Sequence, residues 1–201
     1  MREHCHSIVM KAGLWSIALL LAACASTSLT NSWSNPNYKG PPLRRLLVVG
    51  VSSQPAQRRT FEDEFVKELK GAGVDAVASY NFIAEDGQVE EARMKQAVKE
   101  AGADGVLITR LVRIDVNTQV SPAYRPAGFY GGYSYAWGGF YDPAAVTTTD
   151  TIVLETSLYG VDNSGLLWSG TTQTFAPTSI KENTPGFAKI IIGALQKQKF
   201  V

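Results

Sequence analysis

Apolar residues fall along this chain in two rhythms, one near period two and one near 3.6, and their order predicts a fold. Leu46-Leu47-Val48-Val49-Gly50-Val51 is a continuous apolar run, the signature of a strand covered on both faces. Ser52-Ser53-Gln54-Pro55 then opens a helix to about Ala72, with Phe61, Phe65 and Leu69 four apart on one face and Gly71 and Gly73 ending it. Arg58 and Arg59 precede Glu62 and Asp63 by four, which reads as paired charge on a solvated face. Residues 74–79 form a shorter strand, and Asp86 caps a helix to Ala101 that buries Val89, Met94, Ala97 and Val98. A third strand runs from Val106 toward Val116, with Val106, Ile108, Val112, Ile114 and Val116 on one face and only Arg110 interrupting.

Beyond residue 150 the rhythm changes. Residues 151–161 alternate, with Ile152, Leu154 and Leu158 inward; Asp162-Asn163-Ser164-Gly165 turns the chain; residues 166–175 return as a strand containing Trp168. Thr184-Pro185 caps and opens a last helix, with Phe187, Ile190, Ile191 and Leu195 at helical spacing and Lys197 and Lys199 at its C-terminal end. The expected fold class is therefore α/β: a mixed sheet of about five strands in the order β-α-β-α-β-β-β-α. Its first three strands are parallel, an antiparallel hairpin follows, and helices flank the sheet.

The N-terminal region is organised differently. Residues 14–21 form an apolar run after Lys11, too short to span a bilayer, and lead into Leu21-Ala22-Ala23-Cys24. That sequence resembles the bacterial lipobox, which implies a signal peptide over residues 1–23 and a palmitate-bearing Cys24 that anchors the chain to a membrane. An ordinary secretory cleavage after Ala25 is the competing reading, and Met10-Lys11 is an alternative start to Met1. Ala25 stands where inner-membrane retention usually requires Asp, so the rule implies the outer membrane, with the chain facing the periplasm. Residues 24–42, rich in Ser, Thr, Asn, Gly and Pro without apolar period, read as the lipidated Cys and a flexible tether. Trp33 and Tyr38 within it either dock on the domain or touch headgroups or a partner. Residues 43–201 then form a single α/β domain, within the size of one core.

Composition narrows the chemistry. Residues 1–23 hold two of the 19 basic and one of the 18 acidic residues, so 17 of each remain, without blocks of one sign. Neither a nucleic-acid footprint nor a polybasic membrane patch is expected. Both histidines lie in the discarded segment, and Cys24 is the one cysteine left. Ser-His-Asp and Cys-His sites, His-ligated zinc and disulfides are thereby excluded, and no metal or other cofactor is expected. The chain reads as a non-enzyme.

Several stretches carry a resemblance. They are the first strand at residues 46–51, the Ala101-Gly102-Ala103-Asp104-Gly105-Val106-Leu107-Ile108 step into the third, and Leu158-Tyr159-Gly160-Val161-Asp162-Asn163-Ser164-Gly165-Leu166-Leu167-Trp168-Ser169-Gly170. Together they resemble the envelope lipoproteins related to curli-secretion proteins and to outer-membrane activators of penicillin-binding proteins. The chain is also similar to the broad set of proteobacterial outer-membrane lipoproteins. The resemblance covers most of residues 43–198 and implies a fold rather than a site. Ser164 replaces the usual Thr of the turn, and the stretch between the third and fourth strands departs from the pattern.

That stretch, residues 121–145, is the compositional anomaly of the domain. Eight of the 19 aromatic residues remaining after Trp15 fall between Tyr124 and Tyr141, interleaved with five glycines and a single charge, Arg125. A long insertion of this kind inside a compact domain is usually functional or disordered. Tyr130, Tyr133, Tyr135, Trp137, Phe140 and Tyr141 are the candidate partner-binding residues, because broad rigid rings with polar handles anchor interfaces. Three readings stand: a loop binding an envelope protein or the glycan strands of peptidoglycan, a flap on the domain's own core, or membrane contact by oligomers.

The expected function is a non-catalytic envelope interaction module, with an oligomeric secretion or assembly component as one alternative. A wall hydrolase is the other, and it would need two of Asp115, Asp142, Asp150 and Glu155 about 5 to 10 Å apart. Simpler readings of the same residues are an ion pair of Glu155 with Arg110 or Arg113, a turn at Asp142-Pro143, and helix capping by Ser52 or Ser53.

Overall fold

The computed structural model describes residues 26–83, 88–121, 145–162 and 165–201, with the backbone alone at 119–121 and 145–146. One six-stranded sheet carries the fold. In chain order the elements are β1 (Ser26–Ser34), β2 (Arg45–Val51), α1 (Pro55–Gly71), β3 (Asp75–Ala78), α2 (Glu91–Ala101), β4 (Gly105–Ser121), β5 (Ala145–Gly160), β6 (Leu166–Phe175) and α3 (Ile180–Lys197). Across the sheet the strands lie β1-β6-β5-β4-β2-β3. The mixed α/β architecture is the expected one, with β2 parallel to both β3 and β4 and the other neighbours antiparallel.

β2 is covered on both faces. Leu46 and Val48 face a core built with Phe65 and Leu69 of α1 and Phe187, Ile191 and Leu195 of α3. Leu47 and Val49 face a smaller cluster with Val98 and Ala101 of α2. The rings of Phe61, Phe65 and Phe187 meet at centroid distances of 5.6 to 5.9 Å and join α1 to α3. Asp104 fastens the start of this arrangement: its carboxylate accepts the Arg44 and Arg45 backbone N–H groups at 2.8 and 2.9 Å. Its own N–H donates to Arg45 O and its carbonyl accepts Val161 N–H, so one residue ties β2, β4 and the end of β5.

Four expectations are corrected. Residues 26–34 are not tether but an edge strand, paired to β6 from Ser26↔Phe175 to Ser34↔Trp168. The stretch lacks an apolar rhythm because an edge strand buries little. Thr27 and Leu29 turn inward, a bulge follows Leu29, and much of its pairing is backbone hydrogen bonding that side-chain patterning does not reveal. Tyr38, in the connection to β2, docks on Phe200 at 5.6 Å and donates to Pro41 O, while Trp33 stays half-exposed on β1. The Tyr38 phenol is pushed above its usual range, first by burial and then by the carboxylates of Asp104 and Asp162.

The second correction concerns β4. A bulge between Leu111 and Arg113 inserts Val112 and reverses the alternation. Val106 and Ile108 therefore face α2, whereas Ile114 and Val116 join Leu107 on the face of α1 and α3. Third, α3 starts at Ile180 under Ser179, whose Oγ accepts Glu182 N–H at 3.2 Å, and Pro185 lies inside the helix. Fourth, Gln54 rather than either serine is the N-cap residue of α1, and Ser52 Oγ instead accepts Gln54 N–H. The Asp86 cap lies outside the described residues, and α2 begins at Glu91.

Trp168 is fully buried, and Gly170 makes room for it. Residues two apart on a strand share a face, and a Cβ at position 170 would stand 2.6 Å from Trp168 Cζ2 and 3.0 Å from Leu29 Cδ1. Gly170→Ala therefore overpacks a ring that has nowhere to move, at a cost of about 1–3 kcal/mol or a fall of roughly 3–10 °C in Tm. Gly193→Ala on α3, where a Cβ meets nothing within 4 Å, should leave thermal unfolding by circular dichroism unchanged or slightly raised.

Candidate functional site

β4 and β5 are longer than the strands beside them. β2 leaves β4 at the pair Val51↔Arg110, and β6 leaves β5 at Phe175↔Thr151. β4 and β5 continue together to Ser121↔Ala145. The six pairs from Val116↔Asp150 outward thus form a two-stranded ladder with no further strand on either side among the described residues. At about 3.3 Å per residue it projects roughly 20 Å.

The faces of this hairpin differ. Leu111, Val112, Ile114 and Val116 are 49%, 40%, 51% and 63% exposed. Leu111, Ile114 and Val116 share one face, opposite the partly buried Leu154 and Ile152 and the exposed Asp150, and Val112 is the unpaired residue of the bulge. The other face is polar. There Arg110 pairs across the ladder with Glu155, as the spacing suggested, and Arg113 Nε reaches both Asp115 carboxylate oxygens at 3.0 Å.

The candidate partner-binding residues Tyr130, Tyr133, Tyr135, Trp137, Phe140 and Tyr141 lie outside the described residues. The structure places the two ends of their segment, because Ser121 and Ala145 face each other in register at the tip of the ladder. Cys24 also lies outside, two residues before β1. Of the carboxylates a hydrolase would use, Asp142 is outside. Asp115 is opposite Thr151, so its backbone stands about 13 Å along the ladder from Glu155. Each is engaged by an arginine, and Asp150 lies on the opposite face. Among the described residues no three His, Cys, Asp or Glu side chains are grouped as metal ligands, and no helix is long and apolar enough to cross a membrane.

A second convergence of polar groups, absent from the sequence-based candidates, sits at the carboxyl ends of β2 and β3. Glu62 is fully buried. Its Oε1 accepts Gly50 N–H, Arg58 Nε–H and Ser79 Oγ–H at 2.9, 3.0 and 2.7 Å, and its Oε2 accepts Tyr80 N–H at 3.0 Å. Arg58, 6% exposed, also donates to Ser79 Oγ. The expectation of a solvated Arg58–Glu62 pair is thus corrected. The signal was legible: positions 58, 62, 65 and 69 continue the apolar stripe of α1 at helical spacing. Gly50 permits the close approach of α1, since a Cβ there would lie 2.9 Å from Phe61 Cδ1. Outside this knot, Tyr80 Oη donates to Asp63 at 2.6 Å, and that hydrogen bond is the main reason its phenol is pushed above the usual range. With both carboxylate oxygens engaged, the Glu62 cluster reads as a fastener of α1 to the sheet.

The sequence matches no family model, and no curated protein matches it. Among solved structures it is similar to the PelC dodecamer from Paraburkholderia phytofirmans, in two crystal forms with TM-scores of 0.45 and 0.44. Each comparison has 12% identity and covers 83% of this chain and 95% of the other. It is also similar to lipoprotein GNA1162 from Neisseria meningitidis, with a TM-score of 0.40 and 14% identity, over 77% of this chain and 96% of that one. Scores this low leave the neighbours' properties with the neighbours.

Glu62→Ala takes the acceptor from the buried Gly50 N–H and Ser79 Oγ–H and from Tyr80 N–H at once, so it should cost about 3–5 kcal/mol in chemical denaturation. Asp63→Ala, which removes only an exposed contact to Tyr80, should cost less than about 1 kcal/mol.

Proposed function

We propose that this chain is an outer-membrane lipoprotein, held by acyl chains on Cys24 and facing the periplasm. It acts as a non-catalytic interaction module whose aromatic segment binds an envelope protein or a cell-wall partner. The observation that carries the reading is the projecting β4–β5 ladder. It pairs Ser121 with Ala145, so the segment holding Tyr130, Tyr133, Tyr135, Trp137, Phe140 and Tyr141 begins and ends at the tip of the ladder, roughly 20 Å beyond the last flanking strand. A ladder of backbone hydrogen bonds is a stiff support, and Tyr and Trp supply contact area with few rotatable bonds. Below the base of the ladder the Arg110–Glu155 and Arg113–Asp115 pairs are already matched, which fits a module that binds rather than one that reacts.

Replacing Tyr133, Tyr135 and Trp137 together by Ala should abolish capture of the envelope partner or of sacculi, while Tm moves by less than about 2 °C. A collapse of Tm would instead assign the rings to the domain's own packing. Cys24→Ser should leave an uncleaved or soluble product on fractionation of cell membranes. An unchanged membrane-bound processed form would remove the anchor from the proposal.

A further inference from the structure

Ser26, Phe175, Thr151 and Asp115 form one transverse row of the sheet, each paired with the next. β1 runs inward from this row, and the β4–β5 ladder projects outward from it. Only Ala25 separates Ser26 from Cys24, and two residues span at most about 7 Å. A lipid on Cys24 therefore holds this edge of the domain against the membrane, at the end from which the ladder emerges. Residues 26–34 of the supposed tether, which would have left the domain free to turn in any direction, are a strand of the sheet.

Exposed apolar side chains gather at the same end. Of the seven large hydrophobic residues exposed among those described, Leu111, Val112, Ile114, Val116 and Phe175 lie within a few residues of this row. We infer that this end of the sheet rests on the lipid surface, with the apolar face formed by Leu111, Ile114 and Val116 set into the headgroup region as a second point of attachment. The inference rests on acylation of Cys24.

Two features define the depth and the chemistry of the contact. Beyond Val116 the ladder has unpaired backbone on both outer edges among the described residues, and open edges are not tolerated in hydrocarbon. It lies among the headgroups rather than crossing. Arg113 and Asp115 neutralise one another on the other face, and the exposed Asp150 stands opposite Val116 on this one, so the attachment is apolar and draws nothing from anionic lipid. Tyr and Trp, abundant in the segment that joins the two strands, favour the same interfacial depth.

The test uses the acylated mature chain in phosphatidylcholine vesicles, carrying a polarity-sensitive fluorophore on a single introduced thiol. Ile114→Cys and Val116→Cys report on the apolar face, and Lys197→Cys, at the far end of α3, is the reference. Labels at 114 and 116 should be several-fold less quenched by iodide than the label at 197, and should be quenched by headgroup-nitroxide lipids, equally with and without anionic lipid. Iodide quenching equal to that at 197 overturns the inference. Shielding from iodide without nitroxide quenching also overturns it, and assigns the face to a second copy of the chain. The intact mass of the mature chain separates the underlying reading: an unacylated Cys24 removes anchor and inference together, whereas an acylated chain with exposed labels removes the inference alone.

Discussion

Four successive apolar side chains on β2 point alternately to opposite faces, and all four are buried. Such a strand is stable only between two layers, and the rest of the molecule supplies them. α1 and α3 cover Leu46 and Val48, α2 covers Leu47 and Val49, and the parallel crossovers follow from having helices on both sides. β1, β6 and β5 extend this platform away from β2, with α3 closing the face that carries Trp168.

Short sequence features that look like family markers turn out to be solutions to close packing around that strand. Gly50 leaves room for α1, and the space is used to bury the Glu62 carboxylate against the Gly50 and Tyr80 amides. Asp104 substitutes for backbone partners where β2 begins, and Gly170 accommodates the Trp168 indole. Gly50, Asp104 and Gly170 thus serve the architecture, and the long β4–β5 hairpin is built from other residues.

That hairpin arises from unequal strand lengths. β4 outlasts β2 and β5 outlasts β6, and the Val112 bulge turns Ile114 and Val116 onto the face of Leu111. A slip of one residue in a strand moves every later side chain to the other face, so this single insertion gathers the three beyond the end of the flanking strands, where they are exposed. The same geometry brings the start of β1, two residues after Cys24, to the base of the hairpin.

The sequence by itself determined the elements with strong periodicity: β2 as a doubly covered strand, α1, the β5–β6 hairpin, and the apolar stripe of α3. It also narrowed the partner of Glu155 to Arg110 or Arg113, and it holds no His or Cys after residue 24. Those features depend on neighbours close in sequence or on residue types alone. Only the tertiary structure decided that residues 26–34 join the sheet, because an edge strand is held by backbone hydrogen bonds to a partner about 140 residues away. It likewise decided that Glu62 and Arg58 are buried and that Ile114 and Val116 lie opposite Ile108, since burial and bulges depend on what a segment packs against. The aromatic segment was legible as an anomaly of composition. That its two ends meet at the tip of a projecting ladder, whose base adjoins the start of β1, required the register of four strands.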